Sequence, residues 1–131
     1  MTATGRVLLV EDDKFLRRAC EASFRQRGFE VSTATDGEEG LRVARETPHP
    51  DVVLLDLLMP KMSGMDVLRA LKGSPDTRAI PVVILSNSSR EEDKREAILL
   101  GAVGYYVKAN LSLKVLAAQV GILVTEHAPP R

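Results

Sequence analysis

The run DVVLLDLLMPKMSG, residues 51–64, decides the fold. Its first part, Asp51 to Leu55, is a short, near-continuous run of Val and Leu without polar alternation, the pattern of a strand buried on both faces of a parallel sheet. The run then meets a carboxylate, Asp56, and passes through Pro60 to Ser63, which stands three residues before Asp66 as a helix N-cap signal. Working outward, Arg6 to Val10 and Ile80 to Leu85 repeat the buried-strand pattern. Phe29 to Thr35 alternates apolar and polar residues and is expected at an edge, and Gly104 to Lys108 is a fifth short strand.

Helical segments separate these strands. Asp36 with Glu39 and Ser89 with Glu92 repeat the N-cap signal, while Gly28, Gly73 and Gly101 fall where a left-handed residue closes a helix. Leu16, Cys20 and Phe24 share one face of the first helix, so Cys20 is expected in the core rather than as a redox handle. Five βα units in strict alternation imply a doubly wound α/β fold, a five-stranded parallel sheet with five helices on both faces and right-handed crossovers.

Composition narrows the function. The 131 residues are one domain's worth, 44% apolar and 27% charged. Eighteen basic and 18 acidic side chains cancel, which argues against direct nucleic-acid binding, since that needs a basic excess or stripe. A single cysteine leaves no intramolecular disulfide and no multi-cysteine zinc site, and fits a cytoplasmic setting. The longest apolar stretch, Val115 to Val124, is too short to cross a bilayer, so no membrane role is expected.

In doubly wound sheets, ligands collect outside the carboxyl ends of the strands. Here those ends carry Glu11-Asp12-Asp13, Asp56, Ser86 and Lys108. Asp13 has two readings, a member of the cluster or a cap of the first helix. Several carboxylates in one crevice repel each other unless a cation compensates. A hard divalent ion such as Mg²⁺ takes carboxylate and carbonyl oxygens, and Lys108 adds a fixed ammonium. Carboxylates, Mg²⁺, lysine and a hydroxyl together suit a phosphoryl group, whose transfer depends on positioning and charge neutralisation.

The stretches Val10-Glu11-Asp12-Asp13, Leu54 to Gly64, Pro81 to Ser86, and Gly101-Ala102 through Tyr105-Tyr106-Val107-Lys108 resemble the receiver domain of bacterial two-component response regulators. The resemblance spans residues 6–126, with the motifs in family order, and leaves residues 1–5 and 127–131 as flexible termini. It implies the flavodoxin-like strand order 2-1-3-4-5. It further implies that Asp56 is the phosphoacceptor, fed by a sensor histidine kinase or phosphotransfer protein. Asp12 would bind Mg²⁺ directly, Glu11 mostly through water, and Leu58 through its backbone carbonyl. Lys108 would pair with Asp56 and then with the phosphoryl oxygens. Ser86 would be the switch hydroxyl and Tyr105 the switch aromatic, turning inward when that hydroxyl moves. The chemistry would be confined to the protein's own aspartate, so no enzyme acting on other substrates is expected.

Three positions depart from the family's pattern. Ala109 follows the lysine in place of a proline with a cis bond, Asn87 follows the switch serine in place of a small residue, and Leu58 is apolar where many members are polar. Leu58 is expected to shield an acyl phosphate from water. Only 23 residues follow Lys108. Unless the sequence is a piece excised from a longer protein, output is expected through a non-covalent surface, on an unidentified downstream protein. Leu113, Leu116, Ala117, Val120 and Val124 form a stripe expected to pack on the sheet. Leu111, Val115, Ala118 and Ile122 form a second, with two readings: ordinary exposed apolar residues, or a docking or homodimer face. The alternatives to a phosphorylated receiver are a pseudo-receiver working as an interaction module, an aspartate-nucleophile phosphohydrolase and a nucleotide-binding module. The last two lack their motifs, Asp-x-Asp on the first strand and a Gly-rich phosphate loop.

Overall fold

A computed structural model describes residues 5–127, the side chain of His127 excepted. Of the termini expected to be flexible, 1–5 and 127–131, residues 1–4 and 128–131 lie outside the described residues, while the Gly5 carbonyl accepts the Glu30 N–H at 2.9 Å and His127 is the last residue of a helix. Five strands, β1 (Arg6–Val10), β2 (Glu30–Ala34), β3 (Val52–Asp56), β4 (Val82–Ser86) and β5 (Gly104–Val107), form one parallel sheet in the order β2-β1-β3-β4-β5. The crossovers are α1 (Lys14–Gln26), α2 (Gly37–Arg45), α3 (Gly64–Gly73) and α4 (Glu91–Leu99), and α5 (Leu113–His127) closes the chain. The alternating segment β2 is an edge strand, as its pattern predicts.

The near-continuous apolar strands have a physical purpose here: successive side chains point to opposite faces and both faces are covered. Val7, Leu9, Val52, Leu54, Val83 and Leu85 meet Cys20 and Phe24 of α1 and Leu116, Ala117 and Val120 of α5. Leu8, Val10, Val53, Leu55, Val82 and Ile84 meet α2, α3 and α4 through Ala44, Val67, Leu68, Leu71 and Ala97. The adjacent Tyr105 and Tyr106 divide in the same way, Tyr105 packing on the second cluster and Tyr106 on the first. Each fully buried Leu or Val contributes roughly 1.5–3 kcal/mol, so the two clusters dominate the fold's stability.

Several local readings need correction. Gly28 and Gly101 do adopt positive φ, 90° and 111°, but Gly73 does not and remains the last residue of α3. That helix leaves through an extended Ser74, and the buried Thr77 hydroxyl satisfies the Leu71 carbonyl at 2.7 Å, so no left-handed residue is needed. Asp36 and Ser63 cap α2 and α3 as expected, whereas Ser89 is not the cap of α4. That position belongs to Arg90, which makes no side-chain cap bond. Ladder pairing stops at Ser86↔Val107, so Lys108 leaves the sheet and starts a 3₁₀ turn, Lys108–Asn110, instead of ending β5.

Candidate functional site

Parallel pairing brings the strand ends level. Val10 pairs with Leu55, Asp56 with Leu85, and Ser86 with Val107, so the residues at or just past these positions share one rim. Glu11, Asp12, Asp56, Ser86 and Lys108 all arrive there, as the strand-end reading requires. Asp56 and Ser86 are the last residues of their strands and are buried; Glu11, just past β1, is fully buried.

Carboxylate oxygens of Glu11, Asp12 and Asp56 lie within 4.8 Å of one another. Lys108 crosses the rim and places Nζ 2.8 Å from Glu11 Oε1 and 3.1 Å from Asp56 Oδ2. The backbone locks the opposite oxygens. The Asp13 N–H donates to Glu11 Oε2 at 3.0 Å, and the Leu58 N–H donates to Asp56 Oδ1 at 3.3 Å. Glu11 Oε1 has the ammonium as charge partner, but no donor is aligned on it, so a buried acceptor is left without a hydrogen bond.

Burial dominates the titration of this cluster. It pushes the Glu11 carboxyl up to about 7; Lys108 and the Asp13 N–H oppose the rise and the charge of Asp56 adds to it. Burial raises Asp56 as well, against the pull of Lys108. For Lys108, burial lowers the ammonium, yet its two carboxylate partners outweigh that and hold it above its ordinary value. Cys20 sits beneath the site, fully buried, its thiol pushed up to about 11 first by burial and then by Glu11, which is the core role its spacing predicts.

Asp13 is settled as a cap: its Oδ1 accepts the N–H groups of Phe15 and Leu16 at 2.9 and 3.1 Å. Leu58 stands in the turn after β3 and is 70% exposed. Gly64 closes this loop, its N–H donating to the Leu57 carbonyl at 2.9 Å. A Cβ there would lie 2.1 Å from the Asp56 carbonyl oxygen, so only glycine allows this approach. Lys108–Ala109 is a trans bond; Thr47–Pro48 is the cis bond among the described residues. Asn87 is exposed beyond the rim.

Tyr105 is half-buried, its hydroxyl donating to the Ser88 carbonyl at 2.9 Å. Ser88 also donates its N–H to Ser86 Oγ at 3.0 Å. Sequence reading missed Ser88, and missed Arg17, whose guanidinium donates to the carbonyls of Glu11 (3.0 Å) and Asp12 (3.3 Å) and so pins the acidic pair's backbone. A cation one turn into the helix that follows an acidic run is the signal that could have found Arg17. On the second stripe, Val115, Ala118 and Ile122 are exposed, but Leu111 is not part of it. Leu111 precedes α5, where helical spacing does not apply, and packs half-buried against the core on the α1/α5 face.

The donor set fits a hard divalent cation. Three oxygen ligands converge, two of them on buried side chains, and one buried acceptor lacks a donor. Fold and rim together define a flavodoxin-like α/β domain with an acidic, lysine-bearing cluster at the carboxyl edge of its sheet. The chain belongs to the response regulator receiver domain family, whose model matches residues 7–120. It is 39% identical over 121 residues to the transcriptional regulatory protein PrrA of Mycobacterium leprae, covering 92% of this chain and 51% of that protein. The solved receiver domain of the Francisella response regulator 1452 is 30% identical with TM-score 0.85, covering 93% of this chain and 98% of that one. The Mn²⁺-bound form of response regulator Rcp1 is 31% identical with TM-score 0.78, covering 91% of each chain. The chain spans about half the length, or less, of the curated relatives it matches.

Proposed function

We propose that this receiver domain is a phosphorylation-activated switch in which Asp56 takes a phosphoryl group from a histidine kinase, a phosphotransfer protein or a small phosphodonor. The supporting observation is the position of the Asp56 carboxylate, buried between Lys108 and the Glu11–Asp12 pair. An ionised Asp56 oxygen attacks phosphorus, the bond from phosphorus to the donor's nitrogen or oxygen breaks, and the electron pair leaves with the imidazole or acetate. Lys108 favours the ionised form of Asp56 and is placed to meet the incoming charge. Mg²⁺, when bound, neutralises phosphoryl oxygen charge; Asp12, Glu11 and the Leu58 carbonyl would hold it with Asp56. Water later returns Asp56 to its carboxylate, so the domain acts on its own side chain and not as an enzyme on other substrates.

Ser86 and Tyr105 carry the state outward. The Ser86 hydroxyl is drawn to the phosphoryl group, and its displacement biases Tyr105 and the surface around it. The output is a changed surface for a downstream protein in the cytoplasm, with Val115, Ala118 and Ile122 as a candidate face for that protein or a second copy. Among the described residues no helix is long and apolar enough to cross a membrane. The test is incubation with Mg²⁺ and acetyl phosphate followed by intact mass. A phosphoryl adduct that Asp56→Asn abolishes supports the switch, and an unmodified wild type favours a pseudo-receiver.

A further inference from the structure

Four hydrogen bonds meet on Ser88, a residue outside the acidic rim. Its N–H donates to Ser86 Oγ (3.0 Å) and its carbonyl accepts the Tyr105 hydroxyl (2.9 Å). Its own hydroxyl donates to Asp93 Oδ2 and accepts the Arg90 N–H (3.2 Å). Ser88 and Asp93 are both half-buried, which limits competition from water. The segment between β4 and α4 would otherwise be loosely held. Asn87 and Ser89 are exposed, and Arg90 provides no side-chain cap to α4. The Ser88 hydroxyl therefore ties this segment to the first turn of α4, and the Ser88 backbone in turn touches Ser86 on one side and Tyr105 on the other.

We propose that the Ser88–Asp93 hydrogen bond is a clasp that makes Ser88 a positioning residue, holding its backbone where it engages Ser86 and Tyr105 at once. The clasp fixes the carbonyl that retains Tyr105 in its half-buried place. It also obliges any displacement of Ser86 to act on Tyr105 and α4 together, because all three share one residue. Asp93, the third residue of α4 and part of its first turn, is the anchor. The inference rests on Ser86 and Tyr105 being the switch pair, as read above.

The test uses the full chain labelled with fluorotyrosine and observed by ¹⁹F NMR, the Tyr105 signal being assigned with Tyr106→Phe. Magnesium and beryllium fluoride serve as the phosphoryl mimic. Ser88→Ala and Asp93→Ala are each expected to shift the Tyr105 signal towards that of an exposed ring in the ligand-free protein. Each should also weaken binding of the mimic by about 3–10-fold, the scale of one lost hydrogen bond. Ser88→Thr, which keeps the hydroxyl, should restore both readouts. The double alanine variant should be no worse than either single one, as expected of partners in one interaction. An unmoved Tyr105 signal in Ser88→Ala overturns the clasp, and so does additivity in the double variant. If the wild type binds no beryllium fluoride, the phosphoryl reading fails, while the ligand-free Tyr105 signal still decides the clasp.

Discussion

Lys108, just past β5, reaches two strands across the sheet to place Nζ 3.1 Å from Oδ2 of Asp56 at the end of β3. The same ammonium lies 2.8 Å from Glu11, so one cation serves both buried carboxylates. Ion pairs of this kind are strong only where water is excluded, and the Lys108 side chain is 12% exposed. The ammonium thus makes two buried acids tolerable and opposes the rise that burial imposes on Asp56.

Replacing that cation should separate binding from chemistry. Lys108→Met is expected to destabilise the metal-free fold, by leaving two buried carboxylates without their cation, and to slow phosphoryl uptake by the folded fraction about 10²-fold, the usual scale for one preorganised electrostatic donor. Time-resolved intact mass with acetyl phosphate measures this. A rate within a factor of about two of wild type would remove Lys108 from the reaction.

Acid should stabilise the metal-free domain. The Glu11 carboxyl is pushed up to about 7 from an ordinary 4.5. Below the lower value both folded and unfolded chains are protonated, and Glu11 carries no penalty. As pH rises, the unfolded chain ionises first, so stability is lost progressively and the loss is complete above the folded value. Asp56 is raised as well and acts in the same direction, while raised Lys108 matters only at alkaline pH. Thermal melts with chelator at about pH 5.5 and about pH 8 should show a smaller drop for Glu11→Gln than for wild type. Saturating Mg²⁺, which needs ionised ligands, should narrow the wild-type drop. An identical pH slope in the two proteins would contradict the assignment.

Gly64→Ala tests the loop that carries Leu58. Its new Cβ would fall 2.1 Å from the Asp56 carbonyl oxygen and 2.6 Å from Leu57 Cα, both backbone, so the loop must shift. Destabilisation of about 1–3 kcal/mol in a urea melt is expected, together with slower phosphoryl uptake by the folded fraction. Unchanged uptake would show that the loop's approach to β3 does not matter to the site.

Leu58, an apolar residue 70% exposed, stands in the turn after β3. Leu58→Asn should offer a polar group to an attacking water and speed the loss of phosphoryl from Asp56 several-fold. The decay of the phosphorylated mass after donor removal reports it, and an equal half-life would exclude shielding.

The sheet and the rim were legible because both rest on period and position. Two-sided apolar runs mark central strands, and the strand-end rule gathers Glu11, Asp12, Asp56, Ser86 and Lys108 without knowledge of any contact. What escaped was the geometry that depends on where a chain leaves an element. Ser89 was the expected cap of α4 by residue type, yet the side chain that bonds there is Ser88, one residue earlier. Gly73 matched a helix stop, but Thr77 satisfies the terminal carbonyl from outside the local window. Leu111 fitted a helical stripe only if the helix began before Leu113, and the intervening 3₁₀ turn directs it to the core. Arg17 bonds backbone carbonyls, which no side-chain pattern displays.

The switch stands or falls on the phosphoryl group residing on Asp56. After incubation with Mg²⁺ and acetyl phosphate, borohydride reduces an aspartyl phosphate to homoserine, and peptide mapping then locates the altered residue. Homoserine is expected at position 56 of the wild type and none in Asp56→Asn. A phosphoryl group mapped to any other residue, or a wild type without one, would contradict it.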